Sequence, residues 1–279
     1  MNRSVQLGTM KIGAGRPFVF IAGPCVIEDE KTVLHIAQTL KAMTQKLKIP
    51  LIFKASYDKA NRTSIKSFRG LGIDRGLEIL GKVKSKLKVP VLSDVHQIEE
   101  IEKVAKVLDV IQIPAFLCRQ TDLLVAAGRT KKVINIKKGQ FMAPDDMRRV
   151  VEKARSVSGG GNDRVTVTER GASFGYHDLV VDMRSFAMMH DDGVPVIYDV
   201  THSLQLPGAA GEESGGLRRF AEPLARAAVA AGADGLFLEV HPEPDRALSD
   251  RAVQLDPERA EALLRSLVAL RKALLETGG

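Results

Sequence analysis

The chain is predicted to fold as a single (β/α)8 barrel that covers residues 1–279. Short runs of apolar and β-branched residues alternate with amphipathic helical patterns along nearly the whole sequence. Eight such β-then-α units are present, and barrels of this kind commonly reach this length as one domain. Most of the strand runs are apolar through their middles, which is typical of parallel strands buried on both faces.

The elements follow in a regular order. Residues 1–17 contain three glycines, at positions 8, 13 and 15, and are predicted to form a short hairpin that closes the bottom of the barrel. The β-branched and apolar runs predict strands at 18–25, 51–56, 89–95, 110–116, 133–137, 164–170, 195–202 and 235–241. The amphipathic pattern predicts helices at 31–47, 74–87, 98–107, 144–156 and 218–231, and a last helix at about 257–275.

An open, doubly wound α/β sheet is the alternative fold. Such sheets usually bind nucleotides through a glycine-rich turn after a strand, yet the sequence has no G-x-G-x-x-G after any strand and no P-loop lysine motif. The glycine run at 159–161 precedes a strand, so it is interpreted as a loop and not as a phosphate cradle. The barrel is therefore the preferred prediction.

The composition is that of an ordinary globular protein, with 44% apolar and 27% charged residues. No apolar stretch is long enough to span a membrane, and the first residues lack the apolar core of a secretory signal. The two cysteines, Cys25 and Cys118, are too few for a disulfide framework. We therefore expect a cytoplasmic protein with no membrane partner.

The net charge of +7 favours an acidic partner. Nucleic acid is one interpretation, but aromatic residues are only 5% of the chain and tryptophan is absent, so surfaces on which bases stack are scarce. The basic residues are also scattered, apart from the run KANRTS at 59–64 and two lysine pairs near residues 131 and 137. Small acidic substrates are preferred, with no nucleic-acid partner.

Every predicted strand ends in a residue that can take part in chemistry. Active sites of (β/α)8 barrels lie at the carboxyl ends of the strands. One or two polar strand exits would mean little, but here all eight strands have one. In order they are Cys25, Lys54, Asp94 with His96, Gln112, Lys137, Arg170, His202 and Glu239.

Three of these residues form a candidate metal set. Cys25, His202 and Glu239 come from strands one, seven and eight, which are neighbours in a closed barrel. Zinc, iron(II) and manganese accept thiolate, imidazole and carboxylate ligands. Taken alone, Cys25 is better explained as a small apolar filler and His202 as a histidine bonded to backbone. A fourth ligand is His241, Asp245 or Asp250, and their spacing does not decide.

The second set binds anions. Several cations facing one cavity repel each other, which is tolerable when a multiply charged ligand fills the cavity. The set comprises Lys54, Lys59, Arg62, Lys137 and Arg170, with Gln112 and Asn61 as neutral donors. The alternatives are a solvated basic loop at 59–64 and a basic strand exit in which Lys138 pairs with Asp145 and Asp146. Asp94 and His96 either move a proton or only hydrogen-bond to each other.

The motifs together resemble those of the 3-deoxy-D-manno-octulosonate 8-phosphate synthases (2-dehydro-3-deoxyphosphooctonate aldolases), over about residues 18–255. The most specific are KANRTS at 59–64 and IQIPAFLCRQTD at 111–122. The others are AGPC at 22–25, LSDVH at 92–96, VINIKK at 133–138, ERG at 169–171, FGY at 174–176, DVTHS at 199–203 and EVHP at 239–242.

The resemblance implies a transferase that condenses phosphoenolpyruvate with D-arabinose 5-phosphate and water, a step toward lipopolysaccharide. Related synthases of 3-deoxy-D-arabino-heptulosonate 7-phosphate use erythrose 4-phosphate and carry a motif similar to K-P-R-T-S. Asn61 therefore favours the five-carbon acceptor, while Thr63 replaces the serine of many members. A barrel that binds sugar phosphates without catalysis, or a basic RNA-associated protein, is the hypothesis from a different class.

The resemblance also implies roles for individual residues. The phosphate of phosphoenolpyruvate is expected on Lys137 and Arg170, its carboxylate near Lys54 and Lys59, with Gln112 alongside. The sugar phosphate is expected on Asn61, Arg62, Thr63 and Ser64. The cysteine after Gly-Pro indicates the metal-dependent type, with the ligands Cys25, His202, Glu239 and Asp250. Asp94 and His202 are candidates for proton transfer, and Lys59 and Asn61 complete the catalytic set. A homotetramer is expected, with Arg119 reaching into a neighbouring subunit's site.

Overall fold

The structure is a computed structural model that describes residues 4–157, 164–210 and 213–277. Its strands, in chain order, are β1 (Ser4–Leu7), β2 (Met10–Gly13), β3 (Val19–Gly23), β4 (Leu51–Lys54), β5 (Val91–Asp94), β6 (Val110–Ile113), β7 (Val133–Lys137), β8 (Val165–Glu169), β9 (Ala172–Ser173), β10 (Leu179–Val180), β11 (Val196–Asp199), β12 (Gln205–Ala210), β13 (Glu213–Gly216) and β14 (Gly235–Glu239).

Eight of these strands form a closed, all-parallel barrel in the order β11, β14, β3, β4, β5, β6, β7, β8, and β8 pairs with β11 to close it. The predicted (β/α)8 fold is confirmed. The barrel interior is filled by apolar side chains such as Ile21, Ile52 and Phe237. A larger apolar layer packs the outer faces of the strands against the helices.

The predicted N-terminal hairpin is present as β1 and β2, which pair antiparallel from Ser4 opposite Gly13 to Leu7 opposite Met10. Its Val5, Leu7 and Ile12 are buried in the same apolar cluster as the barrel interior. The hairpin therefore covers the end of the barrel opposite the carboxyl ends of the strands, as predicted. Residues 1–3 of the predicted segment lie outside the described residues.

The helices are α1 (Glu30–Leu47), α2 (Ile73–Leu87), α3 (Ile101–Ala105), α4 (Thr121–Arg129), α5 (Met147–Arg155), α6 (Ser185–Asp191), α7 (Ala221–Ala230) and α8 (Pro257–Glu276). The first and last begin at strong caps, because Asp29 and Asp256 each accept a hydrogen bond of 2.8 Å from the backbone three residues ahead. Three predicted helices, 98–107, 144–156 and 218–231, each start with a single 3-10 turn, and α3 is correspondingly short. No helix in the described ranges is long and apolar enough to cross a membrane.

The strands end earlier than predicted, and this moves several expected strand ends into loops. Cys25, His96, Arg170 and His202 lie one to three residues beyond β3, β5, β8 and β11. The apolar pattern continues after the ladder has stopped because the chain stays buried as it turns toward the following helix. The small sheets β9–β10 and β12–β13 on the loops after β8 and β11 were not predicted. The glycine run at 159–161 lies outside the described residues.

Candidate active site

A cavity of about 470 Å³ lies where the barrel strands end. Most of the predicted site residues line it together, namely Lys54, Lys59, Asn61, Arg62, Thr63, Asp94, Gln112, Lys137, Arg170, His202 and Asp250. Cys25 and Glu239 are buried against this set through the contacts given below. Ser64 and Arg119 are not among the lining residues, and the Arg119 side chain is exposed.

The expected metal ligands converge on one point. One ligand atom from each of Cys25, Glu239 and Asp250 lies within 4.8 Å of the others. His202 Nε2 lies 3.2 Å from Glu239 Oε1 and 3.7 Å from Asp250 Oδ2. Glu239 Oε2 is buried and has no hydrogen-bond partner among the described residues. A thiol, an imidazole and two carboxylates around one point fit a divalent transition metal such as zinc, iron(II) or manganese.

The electrostatics of this cluster are also those of a cation site. Burial raises the pKa of the Cys25 thiol well above its usual value, and the neighbouring Asp250 and Glu239 raise it further. Burial alone would raise the pKa of Glu239 as well, but His202 and Lys54 hold that pKa well below its usual range. A divalent cation would offset the carboxylate charge and favour the thiolate.

The loop after β14 holds Cys25 and Asp250 in place. Cys25 Sγ lies 2.8 Å from the Ser249 hydroxyl and 3.2 Å from Asp250 Oδ2. The buried Gln254 side chain donates to the Ser249 carbonyl at 2.7 Å and accepts from the Cys25 main-chain N–H at 3.4 Å. Asp250 itself has a left-handed backbone with φ of 48°, an unusual conformation for a residue with a side chain. Ser249 and Gln254 were missed by sequence reasoning.

Asp199 is a further residue that sequence reasoning missed. Its Oδ2 lies 2.8 Å from His202 Nδ1 and accepts a 2.6 Å hydrogen bond from Lys137 Nζ. A second carboxylate oxygen accepts from the His202 main-chain N–H at 2.9 Å. Burial would raise the pKa of Asp199, but His202 and Lys137 lower it instead. Asp199 thus directs His202 Nε2 toward Glu239, and the D-x-x-H spacing of DVTH was the available signal.

The buried lysines are paired with carboxylates. Lys54 Nζ lies 3.3 Å from Glu239 Oε1 and donates to the Cys25 carbonyl at 2.9 Å, while Lys59 Nζ lies 3.9 Å from the same Glu239 oxygen. Lys137 Nζ lies 3.8 Å from the centre of the Phe237 ring. Burial lowers the pKa of Lys137, although Asp199 opposes the shift. These ammonium groups are therefore fixed in a dry setting before a ligand arrives.

Arg170 approaches the cavity from the loop after β8. It donates to the His202 carbonyl at 3.0 Å and to Gln205 Oε1 at 2.7 Å. Its Nε is buried without a hydrogen-bond partner within the described ranges, which leaves a donor for a ligand. Gln140 also lines the cavity with a buried, unpartnered Oε1, and it was missed by sequence reasoning.

The basic run 59–64 is held at the cavity mouth by its backbone. The Lys59 N–H donates to the Arg69 carbonyl at 2.7 Å, and Arg62 Nε donates to the Phe68 carbonyl at 2.9 Å. Arg62 Nη2 is buried and finds no partner in the described part of the chain. Asn61 and Thr63 are exposed, whereas the Ser64 hydroxyl accepts from the Lys66 N–H at 3.3 Å. The alternative of a solvated loop does not describe Lys59 and Arg62.

The structure also decides two other sequence alternatives. Lys138 does not pair with Asp145 or Asp146: it is buried, its Nζ contacts the carbonyls of Gly139, Met142 and Gly171 at 3.3–3.4 Å, and it lies 3.5 Å from Glu169 Oε1. That interpretation was wrong because Lys138 points into the wall of the barrel. Asp94 and His96 do hydrogen-bond to each other, at 3.2 Å, and Asp94 also lines the cavity.

Comparisons with known proteins agree with the motifs. Residues 2–276 match the model of the DAHP synthetase I family. A protein of Citrifermentans bemidjiense named 2-dehydro-3-deoxyphosphooctonate aldolase is 59% identical over 97% of this chain and 98% of its own length. Proteins of the same name from Trichlorobacter lovleyi and Desulfosudis oleivorans are each 58% identical and cover 97% and 100% of the chain. The chain belongs to the DAHP synthetase I family, and within it to the group of the 2-dehydro-3-deoxyphosphooctonate aldolases.

Proposed function

We propose that this protein condenses phosphoenolpyruvate with D-arabinose 5-phosphate and water, giving 3-deoxy-D-manno-octulosonate 8-phosphate and inorganic phosphate, a step toward lipopolysaccharide. The family membership supports this transferase activity. The observation that carries it is a single cavity lined by two groups of cations, one in the barrel and one at the mouth. Two phosphorylated substrates, one of which also has a carboxylate, match these charges. The protein acts as a single catalytic domain, 1–279.

The reaction balances without a redox partner. C3 of phosphoenolpyruvate forms a bond to the aldehyde carbon of the sugar, and the oxygen of water adds to C2. The bond between C2 and the bridging oxygen then breaks, and phosphate leaves with that oxygen. Holding both substrates in one cavity supplies the positioning that a bimolecular condensation needs. The buried ammonium groups stabilise negative charge near C2.

Phosphoenolpyruvate would occupy the deeper part of the cavity. Lys137 and Arg170 would hold its phosphate, and Lys54 and Lys59 would lie near its carboxylate, with Gln112 alongside. The low exposure of Lys54 and Lys137, at 2% and 6%, supports this placement, because a dry setting strengthens their interaction with an anion. The free Nε donor of Arg170 supports a phosphate contact there.

The sugar phosphate would lie at the mouth on the run 59–64. Arg62 has a buried donor left over after its bond to the Phe68 carbonyl, which supports a phosphate contact. Asn61 and Thr63 would add an amide and a hydroxyl, and Ser64 would contribute only after a rotation of its side chain toward the cavity. Asp94 and His202 would handle protons, with Lys59 and Asn61 beside the reacting atoms.

A divalent metal is part of the proposal. Cys25, His202, Glu239 and Asp250 would hold it, and when bound it would supply Lewis-acid chemistry to an oxygen of the substrate or of water. Asp199 would keep His202 in the tautomer that presents Nε2 as the ligand. Zinc, iron(II) and manganese all suit this donor set.

We also propose a homotetramer that works in the cytoplasm. Arg119 is exposed and lies outside its own subunit's cavity, and Phe116 beside it is exposed despite being apolar. Both observations support a subunit interface at which Arg119 reaches a neighbouring site. The two cysteines are unpaired, which supports a reducing compartment.

A phosphate-release assay tests the activity. The metal-loaded protein should release phosphate from phosphoenolpyruvate only when D-arabinose 5-phosphate is present. Arg62→Ala should raise the KM for the sugar phosphate at least about tenfold, the loss of one charged hydrogen bond, with little change in the KM for phosphoenolpyruvate. Arg69→Ala is the matched control, because Arg69 lies in the same loop but pairs with Asp58 on the surface.

Two outcomes would contradict this proposal. Binding of both phosphorylated compounds without any turnover would identify a sugar-phosphate-binding barrel. Full activity after thorough chelation, with metal analysis showing none bound, would remove the metal from the reaction. Erythrose 4-phosphate is not the favoured acceptor, because the similar proteins carry the octonate name.

A further inference from the structure

A chain of four side chains leads away from the cavity at the end of β5. Asp94 lines the cavity, and its Oδ2 lies 3.2 Å from His96 Nε2. The other oxygen, Oδ1, is buried and has no hydrogen-bond partner in the ranges that the structure describes. Asp94 therefore has one oxygen held by His96 and one left for a ligand.

The next member of the chain is Glu100, which no sequence motif indicated. Glu100 Oε2 accepts a 2.8 Å hydrogen bond from the Tyr57 hydroxyl and a 2.7 Å hydrogen bond from the His96 main-chain N–H. It also lies 3.7 Å from His96 Nδ1. The imidazole of His96 therefore sits between two carboxylates, one near each ring nitrogen, and the Tyr57 ring meets it edge-on at 5.8 Å between centroids.

The charges around His96 favour its protonated form. Burial would lower the pKa of His96, but the hydrogen bonds to Asp94 and Glu100 raise it to about 9. Burial would raise the pKa of Glu100, but His96 brings it down to about 2. The lysines that face Asp94, Lys59 and Lys54, also lower the pKa of Asp94. At neutral pH both nitrogens of His96 are donors and both carboxylates are ionised.

Tyr57 connects this chain to the segment that carries the basic run 59–64. Its main-chain carbonyl accepts a 3.1 Å hydrogen bond from the Gly72 N–H, and its side chain is 1% exposed. A Cβ on Gly76 of α2 would lie 2.3 Å from Tyr57 Cβ, so this contact is close. The position of Tyr57 therefore fixes both the loop at the cavity mouth and the hydrogen bond to Glu100.

We propose that Glu100 and Tyr57 are positioning residues of the site: they hold His96 as an imidazolium that donates from both nitrogens, so that Asp94 stays ionised with one oxygen free for the acceptor. The inference rests on the proposed function only for the identity of the ligand, a sugar hydroxyl or the attacking water. The charge state of His96 is a property of the protein before any substrate binds. It can therefore be measured without turnover.

The test is an NMR titration of the histidine side chains in the unmodified protein and in Glu100→Gln. The His96 resonance, assigned from His96→Gln, should titrate well above the usual value near 6.5. Glu100→Gln keeps the shape and removes one carboxylate, so the His96 pKa should fall by about one unit. Glu99→Gln is the matched control: Glu99 is exposed in the same 3-10 turn, and its loss should leave the titration unchanged.

Kinetics provide the second measurement. The fall in kcat/KM at high pH should move to lower pH by the same amount, about one unit, in Glu100→Gln and not in Glu99→Gln. Tyr57→Phe keeps the ring and both charges, so the His96 pKa should stay high while the KM for the sugar phosphate rises about threefold.

A titration of His96 near its usual value in the unmodified protein would overturn the proposal. So would an unchanged His96 pKa in Glu100→Gln, because Glu100 would then only cap its helical turn through the reciprocal bonds with Gln97. If Glu100→Gln does not fold, Glu100→Asp preserves the charge and should keep the His96 pKa raised. Failure of the condensation assay with a raised, Glu100-dependent His96 pKa would refute the proposed function and leave this network intact.

Discussion

Asp199 holds two functional side chains of the site at once. It is fully buried, it accepts a hydrogen bond from Lys137, and it contacts Nδ1 of His202. A carboxylate in this position stabilises a buried cation and orients an expected metal ligand, two effects that one substitution can separate by measurement.

Asp199→Asn should therefore lower both stability and metal affinity. Leaving the buried Lys137 without its counter-charge should lower the free energy of unfolding by about 3 kcal/mol, and misdirecting His202 should weaken metal binding about 10–100-fold. Urea unfolding and a zinc or manganese titration provide the two measurements. Asp191→Asn, at an exposed position, is the control. Unchanged metal affinity with lost stability would mean that Asp199 serves Lys137 alone.

His96 should make the stability depend on pH. Its folded pKa of about 9 lies above the unfolded value, so its contribution is fully present below about pH 6.5 and is lost as the pH rises through 9. The shift corresponds to about 3 kcal/mol of the free energy of unfolding. Urea midpoints between pH 6 and pH 10 should show a decline that is smaller in His96→Gln. The exposed His35→Gln serves as control, and equal declines in both variants would refute the assignment.

Single residues were predicted well where they lie on a motif and poorly where they act through distant partners. Cys25, Lys54, Asp94 and Glu239 follow apolar runs, so their place at the cavity could be inferred from strand order. Gln254 bonds to Cys25, 229 positions away, and no local pattern announces such a contact. The Tyr57–Glu100 bond spans 43 positions and was missed for the same reason.

At the scale of elements, α2 shows how closely a helix packs against the site. Two of its glycines differ in what surrounds them. A Cβ on Gly76 would lie 2.3 Å from Tyr57 Cβ, whereas the nearest neighbour of a Cβ on Gly81 is Val107 Cγ1 at 3.8 Å. The first position has no room for a methyl group, and the second has ordinary van der Waals space.

Alanine substitutions at these two positions should have opposite effects. Gly81→Ala should raise the free energy of unfolding by about 0.5–1 kcal/mol, because alanine restricts the unfolded chain and favours the helix. Gly76→Ala should lower it by about 1–3 kcal/mol through overpacking, and should raise the KM for the sugar phosphate by displacing Tyr57. Thermal unfolding and steady-state kinetics test the pair. A stabilised Gly76→Ala would show that α2 is free to move away from the loop.

The sequence located the barrel elements but not the ends of all of them. Val133–Lys137 was predicted at its observed bounds, because a lysine ends an unbroken apolar run there. The strand predicted at 195–202 is only Val196–Asp199, since the buried residues after it turn into a 3-10 helix that places His202 over the cavity. A periodicity argument does not separate a buried strand from the buried turn that follows it.

At the scale of the whole molecule, barrel closure assembles the site. Pairing of β14 with β3 puts Glu239 opposite Gly23, two residues before Cys25, and β11 lies on the other side of β14. The expectation that the first, seventh and eighth strands are neighbours is confirmed. Residues more than 200 positions apart, such as Cys25 and Asp250, meet for this reason.

The concentration of positive charge at one end of the barrel predicts ligand-dependent stability. Phosphoenolpyruvate at about 100 times its dissociation constant should add about 2.7 kcal/mol and raise the melting temperature by roughly 5–10 °C. Pyruvate, which lacks the phosphate, is the control and should give a much smaller shift. Scanning calorimetry provides the measurement, and equal shifts with the two compounds would show that the phosphate is not bound by the cation set.

The central claim is that this cavity joins phosphoenolpyruvate to a five-carbon sugar phosphate. The most direct test is a competition in which the metal-loaded protein receives phosphoenolpyruvate with equal amounts of D-arabinose 5-phosphate and erythrose 4-phosphate, and the products are identified by mass spectrometry. We expect the eight-carbon acid phosphate to exceed the seven-carbon product at least about tenfold, a difference of 1.4 kcal/mol. An equal or larger amount of the seven-carbon product, or no condensation product at all, would contradict the account.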